Sequence, residues 1–471
     1  MDYYNLLSPI DSRYEKLTHE LRNYFSEEAL FRYRCKVEIE YLIHFNKYIN
    51  IVDLNQIQID NLRNIYRNFN KNDKNDKNDK NDINEIKYIE KSTNHDIKAL
   101  EYFIRNKLKN LDSENGKDEK IFSKLIPYVH IGLTSQDINH TSNMLMIKES
   151  IKNIFYGKLD NIILKINKLS EEWWHIYMLA LTHGQPATPT SLGKEFKVFF
   201  ERINTQIECL NKIVYKSKFG GATGNFNSLY YTYPDIDWNK FGDEFLDIIG
   251  LERNQFTTQI DHYDNHSIIF DIFKRIGVIL IDFCQDIWLY ISRNIFKLKV
   301  IKGEVGSSAM PHKVNPIDFE NAEANFAIAN NWFNFFSNYL PVSRMQRDLR
   351  DSTVSRNFGV AFGHFIVGLD KFMCGLGKLE PNLNVIENEL NDNLIVLSEI
   401  FQVFLRSKGI ENGYEILKEI TRGKDIKNIK LNDFKNLIFE NIQNVDGILN
   451  EEDKNKLMSI EIKDFMGFIN H

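Results

Sequence analysis

The chain has 471 residues, 43% of them hydrophobic and 26% charged, with a formal net charge of −6 at pH 7. That length exceeds what one core can serve and predicts about three globular domains. No basic surplus favours nucleic acid and no charged tail favours a membrane surface, so any positive field for an anionic substrate has to be local.

The first residues, Met1 to Asn5, carry neither a basic segment nor an apolar run, and no secretory signal is expected. Ser8-Pro9-Ile10-Asp11-Ser12-Arg13-Tyr14 reads as a turn. Glu27 to Phe45 then places Ala29, Leu30, Tyr33, Val37, Tyr41 and Leu42 closer to a period of 3.6 than to a period of 2, which predicts a helix. Lys71 to Asp82 is four copies of Lys-Asn-Asp without an apolar residue, so it is expected to be a disordered insert. Lys107 to Lys120 reads as a second polar insertion. Between the two, Thr93 and Asp96 have the spacing of an N-terminal capping box ahead of Ile97, Leu100, Phe103 and Ile104.

Thr134 and Asp137 repeat that capping spacing before a helix through Met144, Leu145 and Ile151. Glu195 to Tyr215 carries a continuous apolar stripe that includes Phe196, Phe200, Ile203, Ile207, Leu210 and Val214. Ile268 to Ile291 is apolar almost all round. Asp271, Lys274, Arg275, Asp282 and Asp286 exclude a membrane span there, so the helix should be buried by a large bundle or by neighbouring subunits. Phe319 to Leu340 ends at Pro341, as a helix should. Shorter helical patterns follow, among them Leu383 to Phe404 and Leu431 to Ile442. Alternating Val-, Ile- and Thr-rich runs are nearly absent, so a large sheet is not expected. The reading is an all-α chain of three helical domains: 1–125, a central long-helix bundle 126–365, and 366–471. The scattered Cys35, Cys209, Cys284 and Cys374 read as buried thiols in a reducing compartment, hence a cytoplasmic protein, and no metal site is suggested.

The densest chemistry lies in Gly303 to Pro316, Gly-Glu-Val-Gly-Ser-Ser-Ala-Met-Pro-His-Lys-Val-Asn-Pro. Its glycines allow the backbone to swing, its Ser, His, Lys and Asn side chains offer donors to an anion, and its prolines oppose helix. That combination describes a mobile catalytic loop. His183 sits in Thr182-His183-Gly184-Gln185-Pro186, where Gly184 and Pro186 present its ring on a turn; alternatively it caps the next helix. The hydroxyls of Thr134 and Ser135 could cap a helix or bind an anion at its N-terminus. Arg344, Arg347, Arg350 and Arg356, with Ser352 and Thr353, form either a solvated helix face or a phosphate and carboxylate clamp.

Taken together these segments resemble the aspartase/fumarase superfamily of lyases, through Gly306-Ser307-Ser308-Ala309-Met310-Pro311-His312-Lys313-Val314-Asn315-Pro316. Within it they resemble the adenylosuccinate lyase family over nearly the full chain. The further matching motifs are Ser8-Pro9 to Arg13-Tyr14, Thr93-Asn94-His95-Asp96, Thr134-Ser135-Gln136-Asp137, Thr182 to Pro186, Thr257-Thr258-Gln259 and Ser343 to Asp348. His312 favours this branch over argininosuccinate lyase and fumarase, and the Lys-Asn-Asp repeat has no counterpart in the family pattern. The resemblance implies elimination of fumarate from adenylosuccinate to leave AMP, and in many members also from the succinylated aminoimidazole carboxamide ribotide. It implies no cofactor, and a homotetramer whose active sites are shared between subunits.

By the same resemblance Ser307 is the base and His183 the acid. A serine hydroxyl is too weak a base unless its alkoxide is stabilised, which calls for loop closure and for Lys313 nearby. Ser308, Lys313 and Asn315 are implied to hold the succinyl carboxylates. Arg13, Tyr14, Asn94, His95, Asp96, Thr134, Ser135, Gln259, Asn321, Arg347, Ser352 and Arg356 are the remaining positions implied to bind substrate. The intact set of Ser307, His183, Lys313 and Asn315 argues against a non-catalytic structural protein on the same scaffold. The balanced charge of the Lys/Asn-rich segments argues against a nucleic-acid role.

Overall fold

The computed structural model describes residues 6–70, 81–114, 120–301, 310, 312–422, 429–442 and 449–470. These are mainly helical, in line with the all-α expectation. The α-helices longer than six residues are, through the first half, α1 (Glu27–Ile49), α2 (Gln56–Arg67), α3 (Asp82–Thr93), α4 (Asp96–Glu114), α5 (Ser135–Ser150), α6 (Tyr156–Glu172), α7 (Leu192–Asn211) and α8 (Trp238–Ile248). Then come α9 (Asp264–Ser292), α10 (Ile317–Tyr339), α11 (Phe358–Lys378), α12 (Leu383–Asn391), α13 (Ser398–Ser407), α14 (Gly413–Thr421), α15 (Leu431–Ile442) and α16 (Glu451–Ser459). The described residues form three sheets of two strands each. β1 (Tyr177–Thr182) pairs antiparallel with β2 (Gln185–Ser191), β3 (Lys216–Ser217) parallel with β4 (Glu252–Arg253), and β5 (Phe296–Leu298) antiparallel with β6 (Leu379–Pro381).

The chain divides into two compact units, one of residues 1–158, 206–278 and 324–370, the other of 159–205, 279–323 and 371–471. In the first unit α1 begins where the Ser26 hydroxyl accepts the Ala29 N–H at 3.1 Å and ends at Asn50, whose φ of 54° cannot continue a right-handed helix. Phe31, Cys35, Ile39 and Leu42 of α1 are fully buried in one core with Leu62, Phe103, Ile104 and Leu108. Each such large side chain contributes about 1.5–3 kcal/mol. The buried Glu40 is met by Arg63 at 2.8 Å and by the Tyr66 hydroxyl at 2.6 Å, so the stripe tolerates its charge. α5 runs through one π-helical turn, Ile151–Phe155, directly into α6. A second core of this unit stacks Phe155, Phe270, Phe273, Phe333, Phe362 and Phe365 ring against ring.

Three readings of this part need correction. Of the Lys-Asn-Asp tract, residues 71–80 lie outside the described residues. Its last two residues are ordered, because Asn81 caps α3 and Asp82 accepts the Asn70 N–H and pairs with Lys107. Residues 107–114 complete α4 rather than forming an insertion, since Leu108 reaches the core. Thr93 is the last residue of α3 and not a cap of α4. The His95 ring takes that role, its Nδ1 accepting the Lys98 N–H at 3.2 Å.

In the second unit Phe196 meets Trp173, Phe283 and Phe296, and Phe283 continues to Phe199 and Phe372. Its C-terminal helices close on a separate core of Leu397, Phe401, Leu405, Phe434, Ile438 and Leu457. The expected helix from Leu383 to Phe404 breaks between α12 and α13, where Asn393 leaves helical geometry and a 3₁₀ turn, Leu394–Leu397, intervenes. The stripe expected to Tyr215 stops at Asn211, leaving Val214 exposed. Cys35 and Cys284 are buried as read, whereas Cys209 and Cys374 are exposed.

Candidate active site

A cleft of about 670 Å³ opens in the first unit. Four stretches line it, together with Tyr263: the start of α1, the α3–α4 junction, the first turns of α5, and residues 347–359. The junction matters because α3 ends at Asn94 in the left-handed region, φ 47°, which turns the chain sharply and exposes His95 beside Asp96. The Asp96 carboxylate is ion-paired with Arg34 Nη1 at 3.0 Å and accepts hydrogen bonds from Arg356 Nη2 at 3.1 Å and the Ile97 N–H at 2.9 Å. Burial alone would raise its pKa. The two guanidiniums and the amide outweigh burial and hold it below the usual carboxylate range.

The start of α5 is held from beneath. Asp137, fully buried, accepts the Thr134 N–H at 2.8 Å, the Gly220 N–H at 2.9 Å, the Gly221 N–H at 3.1 Å and the ammonium of Lys218 at 2.5 Å. Lys218 is itself fully buried and also donates to the Gly221 carbonyl at 2.6 Å. From this glycine loop the connections continue toward the cleft. Gln259 donates to the Ala222 carbonyl at 3.1 Å and accepts Arg347 Nη1 at 2.8 Å, and Arg347 lies 3.4 Å from the Ser135 hydroxyl. At the floor Asp351 accepts Gln136 Nε2 at 2.9 Å, the Tyr263 hydroxyl at 3.2 Å and the Ser352 N–H at 2.7 Å. Burial pushes the Asp351 carboxyl up, and the buried His140 well below an ordinary histidine.

The fold thus gathers Asn94, His95, Asp96, Ser135, Arg347, Ser352 and Arg356 around one cleft, from three separate parts of the chain. Gln259 joins it through Arg347, and Thr134 directly precedes Ser135 as the N-cap of α5. The four arginines share no helix and divide between two tasks. Arg347 and Arg356 line the cleft, while Arg344 and Arg350 pair with Asp348 at 3.2 and 2.8 Å. Arg13, exposed, lies 6.0 Å from the Tyr14 ring within the N-terminal turn.

His183 belongs to the second unit, and it neither caps a helix nor lies in an irregular loop. With Gly184 it forms the two-residue turn of the β1–β2 hairpin, both residues at positive φ, 54° and 72°, as a type I′ turn requires. The ring stands exposed at the tip. Lys313 is exposed, its N–H donating to the Met310 carbonyl at 3.0 Å, and Asn321 sits in α10. Gly303, Gly306, Ser307, Ser308 and Pro311 lie outside the described residues.

Arg34, Asp351, Tyr263 and Lys218 are the residues of this region that sequence reasoning passes over. Arg34 carried one signal, a cation inside the apolar period of α1. For Lys218 nothing local distinguishes it from a surface lysine.

Residues 12–327 match a protein family described as lyase, and residues 343–466 match one described as the adenylosuccinate lyase C-terminal region. Among relatives, the adenylosuccinate lyase of Dictyostelium discoideum is 46% identical over 441 residues, 92% of this chain and 91% of the relative. That of Escherichia coli K12 is 38% identical over 465 residues, 98% and 96% of the two chains. Among solved structures, β-carboxy-cis,cis-muconate cycloisomerase from Acinetobacter calcoaceticus aligns with a TM-score of 0.69 over 98% of both chains, at 15% identity. A fumarate lyase from Mesorhizobium aligns with a TM-score of 0.70 over 96% and 95%, also at 15% identity. At that identity the two structures establish a common fold.

Proposed function

The chain belongs to the adenylosuccinate lyase family, and from that premise we propose that it eliminates fumarate from adenylosuccinate, leaving AMP, as a step of purine nucleotide synthesis. The observation that carries the reading is the match to such enzymes over nearly the whole chain, together with a cleft whose arginines suit an anionic nucleotide. The succinylated aminoimidazole carboxamide ribotide presents the same C–N bond to the same groups and is a second substrate under this reading.

The reaction removes a proton from the carbon beside a carboxylate and returns one to the departing nitrogen. Ser307 is our base, and Lys313, Asn315 and Ser308 hold the carboxylate that gains charge as the carbanion forms. His183 is our acid. An imidazole needs little tuning to donate near neutrality, and its position on a two-residue hairpin turn fixes the ring's origin while leaving it accessible. In the cleft, Arg347, Arg356, Ser135 and Ser352 supply donors for the remaining anionic group, with Gln259 steadying Arg347. Arg13, Tyr14, Asn94, His95, Asp96, Thr134 and Asn321 complete the binding set. Segments 1–125, 126–365 and 366–471 are proposed as the functional division, the middle one carrying the acid and the base.

We propose further that the working form is a cytoplasmic homotetramer whose sites draw residues from several copies. In support, the single chain leaves Ile268, Val278 and Leu289 of the apolar helix α9 about half exposed, and copies of the chain would cover them. The test of function is direct: pure protein is incubated with adenylosuccinate, the purine absorbance followed and fumarate measured. Turnover is expected. A correctly folded protein that leaves adenylosuccinate untouched while releasing fumarate from argininosuccinate would replace this reading with the argininosuccinate lyase one.

A further inference from the structure

We propose that Arg34 is a positioning residue of the cleft, the buried counter-charge that occupies Asp96 and so leaves Arg356 cationic toward an anionic group of the substrate. The inference rests on the lyase reading for the identity of that substrate.

Two guanidiniums share one carboxylate oxygen. Arg34 Nη1 and Arg356 Nη2 both lie on Asp96 Oδ2, at 3.0 and 3.1 Å. The two cations differ in their access to solvent. The Arg34 side chain is 4% exposed and that of Arg356 46% exposed, so Arg356 is the one that can meet a ligand in the cleft. Arg34 lies against the Phe31 ring at 5.1 Å, and neither its Nε nor its Nη1 makes a hydrogen bond among the described residues, so Asp96 holds it by charge. Burying a guanidinium so incompletely paired gains little stability, and a well-packed apolar side chain would serve the core as well or better.

What Arg34 changes is the charge balance. With it, two cations face one carboxylate and the trio carries one net positive charge. Without it, Asp96 and Arg356 would neutralise each other at the mouth of the cleft. The other charges nearby do not supply the difference. Glu27 and Glu90 line the cleft but both take the ammonium of Lys87, and the hydrogen-bond acceptors of Arg347 are the neutral Ser135 and Gln259.

The experiment replaces Arg34 by Gln, which keeps a polar side chain but brings no charge. Steady-state kinetics with adenylosuccinate are measured together with calorimetric binding of AMP alone, for the phosphate, and fumarate alone, for the carboxylates. Thermal melting reports folding. The expected result is a KM raised about tenfold or more with kcat within about threefold, and a matching loss of affinity for one of the two products, which identifies the anionic group. Arg34→Lys should bind within about threefold of the parent. The double variant Arg34→Gln, Asp96→Asn, which restores one net positive charge, should bind more tightly than Arg34→Gln. If Arg34→Gln does not fold, Arg34→Met is read in its place, with its own double variant. A folded Arg34→Gln that melts lower but keeps KM and both product affinities would overturn the proposal, because it would reduce Arg34 to a packing residue. If the parent protein fails to turn over adenylosuccinate, the lyase reading falls, while AMP and fumarate binding still decide the role of Arg34.

Discussion

Replacing Asp137 by Asn strikes a carboxylate on which four donors converge: the N–H groups of Thr134, Gly220 and Gly221, and the Lys218 ammonium. Asparagine keeps one acceptor oxygen, but its amide nitrogen faces the donors the second oxygen had satisfied. The charge of Lys218, fully buried, loses its counter-ion. Breaking a buried pair from one side costs about 3–5 kcal/mol. With an unfolding entropy of about 2.1 cal/mol/K per residue, a chain of 471 residues that melts as one unit should lose about 3–5 °C in Tm. Lys218→Met should cost less, about 2 kcal/mol, because three backbone N–H groups still solvate the carboxylate. The two substitutions together should cost less than their sum by about 1 kcal/mol or more, since the second removes the charge the first left stranded. Thermal melts of the parent, both single variants and the double variant measure all three quantities. A drop below about 1 °C for Asp137→Asn, or strict additivity in the cycle, would show that the pair is not coupled and would refute the reasoning.

Three other outcomes are expected. Burial opposes protonation of His130, but Glu38, 2.5 Å from its Nδ1, outweighs burial and raises its pKa. A raised histidine contributes stability that is full below about pH 6.5 and lost as pH climbs through the folded value, so Tm should fall over that window, and less so in Glu38→Gln. Gly224 has φ 83° and a Cβ there would stand 2.4 Å from the Thr257 carbonyl oxygen, so Gly224→Ala should cost about 1–3 kcal/mol; a neutral melt would show the loop free to give way. Inactive Ser307→Ala and His183→Ala chains, unfolded together and reassembled, should regain part of the activity if sites are shared between copies. No recovery despite demonstrated subunit exchange would mean that each copy completes its own site.

Local chemistry was legible in the sequence wherever neighbouring residues decide the outcome. The helix from Glu27, the stop at Pro341 and the turn at His183-Gly184 all follow from periods, breakers and positive-φ residues within a few positions. Readings failed where a distant partner overrode local composition. Residues 107–114 look like insertion until Leu108 finds the core, and Thr93 looks like a cap until α3 extends through it.

The sequence by itself determined the helical class, the apolar stripes and the motifs that identify the family, because periodicity and short-range backbone preference act over a turn or two of chain. Only the tertiary structure decided which charges belong together. Arg356 reaches Asp96 across 260 positions, and Lys218 reaches Asp137 across 81. No property of any of these residues alone selects its partner. The selection comes from burial, which makes an unpaired charge too costly to keep and so ties each one to whatever opposite charge the packed helices bring within reach.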